Sequence, residues 1–219
     1  MFKENKYATV KDVLSKDVVD IVSQYALLDE MHNYGKEGAG QPAQVKNAHS
    51  KYADLLMESL LLHLKPTVEW ATGLTLIPTY SYFRVYRPGN ILLPHQDRPA
   101  CEISTTMCFN YNYQNSPEDY FWPMFVETQD GPRACLLTPG DMTVYKGCEI
   151  THWREKFDAP EYSYHVQGFF HYVDANGPYS EWALDKRPAI GAPLGSRMPD
   201  LKEQTSNDPK TKSYITYVG

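Results

Sequence analysis

Hydrophobic positions in the first third of the chain fall at helical spacing. Val18, Val19, Ile21, Val22 and Tyr25 recur at i, i+3, i+4 and i+7 behind Ser15 or Asp17, either of which can cap a helix. Residues 1–11 read as a short extended lead-in, with Tyr7, Thr9 and Val10 favouring a strand. A second helix is expected from about Ser50 to Leu64, where Leu55, Leu56, Leu60 and His63 are spaced for burial. Pro66 is expected to stop it and to open a short third helix to Trp70, ended by Gly73. Between these helices, residues 33–49 hold Gly35, Gly38, Gly40 and Pro42 and sustain neither period. They are expected as a long loop, either a lid over a site or a loose connection.

After Gly73 the pattern changes to strands. Tyr80, Tyr82, Phe83, Val85 and Tyr86 make one apolar run, and similar runs continue to about Val173. Turn signals separate them: Arg87-Pro88-Gly89, Asn115-Ser116-Pro117, Gln129-Asp130-Gly131-Pro132, Thr138-Pro139-Gly140-Asp141 and Asp158-Ala159-Pro160. The expected class is α+β, mainly β, a barrel or sandwich with supporting helices in front. One domain is expected over 1–219: helical support to residue 75, a β core over 76–173, and a Pro-rich extension over 174–219 that wraps the surface or lacks order.

Composition narrows the function. The chain has 219 residues with 21 Lys+Arg against 27 Asp+Glu, a net charge of −6, so no electrostatic footprint for nucleic acid is expected. No apolar run approaches a membrane span. Cys101, Cys108, Cys135 and Cys148 form no C-x-x-C pair, and the first residues hold no secretory apolar stretch. They read as inert buried thiols of a cytoplasmic protein.

The sharpest chemical feature is His95-Gln96-Asp97. On a strand, residues two apart share a face, which places an imidazole and a carboxylate together. With a distant second histidine they would form the two-His-one-carboxylate set that binds non-haem Fe(II) and leaves coordination positions open. The tripeptide alone is weak, because seven histidines and 14 aspartates in 219 residues give about half a chance occurrence of H-x-D. Its surroundings strengthen it. Tyr86-Arg87-Pro88-Gly89 precedes it, Thr138-Pro139-Gly140-Asp141 feeds a later strand, and Gly147 and His152 follow some fifty residues after Asp97.

This run, Y-x-x-G-x-x-x-x-x-H-x-D, then P-G-D, then a second His, resembles the iron(II)/2-oxoglutarate-dependent dioxygenases, in particular their prolyl-hydroxylase-like branch, over residues 80–173. The resemblance implies a double-stranded β-helix, a jelly-roll or cupin-like barrel. It implies His95, Asp97 and His152 as iron ligands, with His165 and His171 as rivals for the distal position. Fe(II) would be the cofactor and 2-oxoglutarate and O2 the co-substrates. Oxidative decarboxylation to succinate would accompany hydroxylation of an unactivated C–H bond.

The sequence departs from the family at one point. A basic residue about ten positions after the distal histidine usually clamps the far carboxylate of 2-oxoglutarate, but Glu161-Tyr162-Ser163-Tyr164-His165 contains none. By strand parity Arg154, two after His152, and Arg84, two before Tyr86, are the alternatives. Tyr86 matches a position that hydrogen-bonds the co-substrate. Either arginine could instead pair internally with Glu155, Glu102 or Asp141. Arg98 and Glu102 lie near the metal end, where they could meet a charged or zwitterionic substrate or pair with one another. The aromatic set Tyr80, Tyr82, Tyr111, Tyr113 and Trp122 reads mainly as barrel wall. The expected substrate is a small polar metabolite, an amino acid or a peptide side chain. The rival function is a jelly-roll metal-binding protein that does not use 2-oxoglutarate.

Overall fold

Asp54 sets the start of the helix that supports the barrel. Its Oδ1 accepts from the amides of Leu56 (3.0 Å) and Met57 (3.4 Å), satisfying donors that a helix N-terminus leaves unpaired. The helix runs Leu55–Thr72 and ends on Gly73 at φ 71, a left-handed cap that glycine adopts without strain. Pro66 therefore neither stops this helix nor opens another. It lies on the solvent side with Leu62, whose carbonyl loses its partner where water can replace it, while Leu61, Leu64 and Val68 continue the buried stripe. The expected helical start at Ser50 is also corrected. His49–Tyr52 is an edge strand paired with Val85–Tyr82, a pairing that local periodicity cannot reveal.

This computed structural model describes residues 2–34, 44–113, 116–193 and 195–196. Among them are helices α1 (Phe2–Asn5), α2 (Lys16–Asn33) and α3 (Leu55–Thr72) and strands β1 (Tyr7–Val10), β2 (His49–Tyr52), β3 (Leu76–Tyr86), β4 (Leu92–His95), β5 (Ile103–Asn112), β6 (Met124–Thr128), β7 (Gly131–Cys135), β8 (Met142–Lys146), β9 (His152–Arg154) and β10 (Tyr164–Asp174). Two antiparallel sheets result, one in the order β1-β8-β5-β10-β3-β2 and the other β4-β9-β6-β7. The segment before residue 75 thus gives two strands to the large sheet as well as helices.

Alternation along β3 divides the molecule. Phe83 and Val85 join Met57, Leu61 and Leu64 of α3 and Val19 and Val22 of α2 in the main core. Burying each such side chain contributes about 1.5–3 kcal/mol, enough to seat both helices on the sheet. Of the apolar face expected for α2, Val18 and Ile21 remain exposed. Tyr82, Arg84 and Tyr86 point the other way, into the space between the sheets, where Tyr86, Trp122, Phe157 and Phe169 form a second cluster.

The stretch after β10 is tied back. Arg187 pairs with Glu58 of α3 at 2.9 Å, both nearly inaccessible, and Glu58 also accepts from the Ser81 and Gly191 amides. Residues 197–219 and most of the expected 33–49 loop (35–43) lie outside the described residues.

Candidate active site

β4 and β9 are paired so that His95 stands opposite His152, with ring centroids 4.2 Å apart. Each ring is oriented by the carbonyl two residues before it: His95 Nδ1 lies 2.8 Å from Leu93 O and His152 Nδ1 3.1 Å from Ile150 O. A carbonyl only accepts, so both Nδ1 atoms carry the proton and the Nε2 atoms are left as the nitrogens that can face a metal, the orientation of a metal-ligating histidine. The two Nε2 atoms lie 3.7 and 3.6 Å from Asp97 Oδ1, and the three residues form one cluster of potential metal ligands. Burial holds the His152 pKa below its ordinary value against the opposing charge of Asp97, which keeps the ring neutral.

Asp97 reaches this point by a route other than strand parity. β4 ends at His95, and the Asp97 amide donates to Gly147 O (2.8 Å) from the loop before β9. Ser104 Oγ donates to Asp97 Oδ2 at 2.7 Å, leaving Oδ1 for the histidines' side. Ser104 Oγ is also 2.9 Å from His171 Nδ1. The roles of Gly147 and Ser104 escape a sequence reading, because they depend on contacts between strands.

The rival histidines are otherwise engaged. His165 Nε2 donates to Gln167 Oε1 (2.6 Å) and its Nδ1 meets Tyr113 OH (2.8 Å), so both nitrogens are satisfied in the core. His171 lies near Asp97 and Cys101 in a second possible ligand group. Burial pushes His171 down to about 4 and raises the Cys101 thiol well above its usual range, so that group offers a thiol rather than a thiolate. All four cysteines are free, and burial likewise raises Cys108 to about 12 and Cys135 and Cys148 to about 11, as expected of inert thiols.

The triad opens on a cavity of about 540 Å³, within the range of small-molecule sites. β3 and β10 give it Tyr80 paired with His171, Tyr82 paired with Phe169, and Arg84; the next pair of the ladder, Tyr86 with His165, lies behind these. Tyr80 and Tyr82 are half-buried, while Arg84 and Tyr86 are buried, so the ladder leads inward. Arg84 lines the cavity. Its guanidinium lies over the Tyr82, Tyr86 and Phe169 rings, donates to Tyr86 OH (3.1 Å) and Gln44 Oε1 (3.4 Å), and leaves its buried Nε without a partner. Among the described residues no carboxylate pairs with it.

The other expected residues divide. Arg154 is buried behind the cavity, donating to Trp122 O (2.6 Å) and Gln167 Oε1 (3.0 Å), and it too has no carboxylate partner among the described residues. Tyr86 is fully buried between the two guanidiniums, 5.3 and 5.6 Å from its ring, and supports Arg84. None of the three suggested acids takes either arginine: Asp141 pairs with Lys11, Glu155 accepts from Trp153, and Glu102 accepts from the Asp174 amide. Glu102 lies outside the cavity lining; Arg98 lines it but is bound to Asp185 rather than to Glu102. Tyr80 and Tyr82 are cavity wall, whereas Trp122 and Tyr113 belong to the inner cluster. Gln44, not foreseen, bridges Arg84 to His95: its Nε2 stands 2.7 Å from His95 Nε2.

No protein-family model and no curated protein matches the chain. Solved structures do. A prolyl-4-hydroxylase from Pseudomonas putida superposes with a TM-score of 0.58 at 15% identity, covering 78% of this chain and 94% of that one. SnoN, a non-heme alpha-ketoglutarate-dependent epimerase from nogalamycin biosynthesis, gives 0.62 at 15% identity, covering 91% and 92%. HygX from Streptomyces hygroscopicus, solved with nickel and 2-oxoglutarate, gives 0.60 at 9% identity, covering 80% and 85%. These likenesses establish the fold, a mainly antiparallel double-stranded β-helix shared with iron- and 2-oxoglutarate-dependent oxygenases. No described helix is long and apolar enough to cross a membrane.

Proposed function

We propose that the protein is an Fe(II)- and 2-oxoglutarate-dependent oxygenase that hydroxylates an unactivated C–H bond of a small molecule. The observation that carries this reading is the sharing of one cavity by the His95–Asp97–His152 cluster and a buried arginine with no acidic partner. Two neutral imidazoles and a carboxylate are a donor set suited to Fe(II). A buried guanidinium with an unsatisfied Nε is unfavourable unless an anion joins it. The same ligands, 2-oxoglutarate with nickel or Fe3+, are those named for HygX and SnoN.

In this reading His95, Asp97 and His152 hold the metal, which when bound supplies oxygen activation coupled to decarboxylation of 2-oxoglutarate to succinate and CO2. Arg84 takes the far carboxylate. Tyr86 fixes the Arg84 guanidinium through its hydroxyl, and Arg154 adds a second positive charge behind Tyr86. Gln44, which spans Arg84 and His95, would have to release both for Arg84 to hold the co-substrate and His95 Nε2 the metal. Ser104 holds Asp97 Oδ2 so that Oδ1 faces the histidines. The aromatic walls exclude water from the reacting end.

The test is anaerobic titration of the Fe(II)-loaded protein with 2-oxoglutarate, followed by succinate formation from labelled 2-oxoglutarate in air. The expected outcome is a visible charge-transfer band and slow succinate release without added substrate. Arg84→Gln should weaken 2-oxoglutarate binding by at least about tenfold, as loss of a buried charge-assisted contact does. Metal binding with no response to 2-oxoglutarate would favour the jelly-roll metal protein instead.

A further inference from the structure

The cavity floor changes chemistry along its length. At its inner end it presents the Arg84 guanidinium, with Gln44 beside it. The outer rungs are rings: Tyr82 against Phe169 at 6.2 Å, Tyr80 against His171 at 4.5 Å, and Tyr52 against Tyr80 at 4.9 Å. The three tyrosine hydroxyls are engaged within the protein. Tyr52 donates to Asp185 Oδ2 (2.6 Å), Tyr82 to Ser50 Oγ (2.6 Å), and Tyr80 OH lies 3.0 Å from Cys101 Sγ. With these hydroxyls bound inside the protein, what the side chains chiefly offer a ligand is ring carbon.

Charge is cancelled at the same end. Arg98 is the one cation among the described residues lining the outer half, and both of its terminal nitrogens are held by Asp185, at 2.6 and 2.8 Å. Its guanidinium lies on the Tyr80 ring at 4.6 Å, and that of Arg84 lies over Tyr82 and Phe169 at 5.2 and 5.8 Å. A ligand anion would have to displace Asp185 from Arg98. A ligand cation would meet ring faces that already carry guanidiniums, and the Asp97 carboxylate belongs to the metal cluster.

We propose that the outer half of the cavity takes an uncharged, ring-bearing small molecule, packed against the Tyr80, Tyr82 and Phe169 side chains. This rests on the oxygenase reading, which assigns the inner half to 2-oxoglutarate. It replaces the zwitterionic substrate expected from Arg98 and Glu102, since the first is neutralised and the second lies outside the lining.

Three probes that share a ring and differ in charge test it: 2-naphthol, 2-naphthoate and 2-naphthylmethylammonium, with L-tyrosine as the zwitterion. Binding is measured by equilibrium dialysis on the protein loaded with Mn(II) and 2-oxoglutarate, and again with neither. The expected result in the loaded state is 2-naphthol bound at least about tenfold tighter than every charged probe, since an unpaired charge is disfavoured against apolar walls. With neither ligand, where Arg84 and Asp97 are open to charged probes, 2-naphthol should keep its affinity within about twofold. Asp185→Asn frees the Arg98 charge, and asparagine tolerates the φ of 54 at this position. In that variant 2-naphthoate should gain about tenfold while 2-naphthol is unchanged, because the new partner is a desolvated cation. Arg98→Gln should leave 2-naphthol within about twofold, and it decides alone if Asp185→Asn does not fold. Charged probes binding the loaded protein as tightly as 2-naphthol, or no 2-naphthol binding at millimolar concentration, would overturn the proposal. Failure of the oxygenase reading is seen separately, as absence of 2-oxoglutarate binding to the Mn(II) protein while 2-naphthol still binds with neither.

Discussion

A methyl group at Gly147 would stand 2.3 Å from the Cys101 carbonyl oxygen, 2.4 Å from Asp97 Oδ2 and 2.7 Å from Ser104 Oγ. The nearest obstacle is backbone, so the change cannot be absorbed by a side chain swinging away. Gly147→Ala should therefore destabilise the fold by about 1–3 kcal/mol and weaken Mn(II) affinity by at least about tenfold, because groups that orient a metal ligand influence affinity on that scale. Thermal denaturation and a metal competition titration read the two effects, and unchanged metal affinity would mean that the loop carries Asp97 along with it. At this scale the sequence was legible where chemistry and spacing coincide: His95, Asp97 and His152 follow from residue type and order. Gly147, Ser104 and Gln44 were not, since each acts through a contact across the fold. Choosing between Arg84 and Arg154 needed the cavity wall, because parity turns both side chains inward and only one lines the space.

Asp141 shows how a turn motif can be read correctly and still be misassigned. The Pro-Gly-Asp turn before β8 was expected, and Asp141 was one possible partner for a buried arginine. Its carboxylate instead accepts from Thr138 N (2.8 Å), Thr138 Oγ1 (2.6 Å), Asp12 N (3.2 Å) and Lys11 Nζ (2.7 Å), pinning the segment between β1 and α2 to the start of β8. Despite its burial, these donors hold the Asp141 pKa below the ordinary carboxylate value. Asp141→Ala should cost about 1–3 kcal/mol, since it removes the acceptor of two part-buried backbone amides and of the Thr138 hydroxyl. Urea denaturation measures it, and a loss below 1 kcal/mol, on the order of one exposed hydrogen bond, would mean that water replaces the carboxylate. The elements themselves were partly legible: the α2, β3, β8 and β10 patterns are local. β2 was hidden, since four residues of mixed polarity become a strand only because β3 offers an edge, and Pro66 misled because a proline on an exposed helix face is tolerated.

Besides His152, two further buried histidines, His165 and His171, are held neutral in the native state, and their sign is unambiguous. Burial, with the nearby Arg154 charge, holds the His165 pKa well below its ordinary value, and His171 is pushed to about 4. The unfolded chain takes up these protons near pH 6.5 whereas the native state refuses them, so stability is fully present above about pH 6.5 and declines as pH falls toward 4. For His171 alone the effect amounts to about 3 kcal/mol across that interval. Calorimetry from pH 7.5 to 4.5 should show a falling Tm, with a shallower slope in His165→Gln, where both hydrogen-bonding neighbours can still be met. An unchanged slope would place the titration elsewhere.

β10 has a consequence for the order in which the protein can come into being. It lies in the centre of the large sheet, between β5 and β3, yet among the described residues it is the last strand to be synthesised. Until residue 174 has been made, β3 and β5 each present an open inner edge, and no earlier strand bridges them. Closure of the large sheet therefore waits for β10, and an arrested product ending at residue 163 would expose two long strand edges at once. Such a product should be recovered as aggregate or bound to chaperones, and adding residues 164–174 in trans as a synthetic peptide should restore some of it to solution.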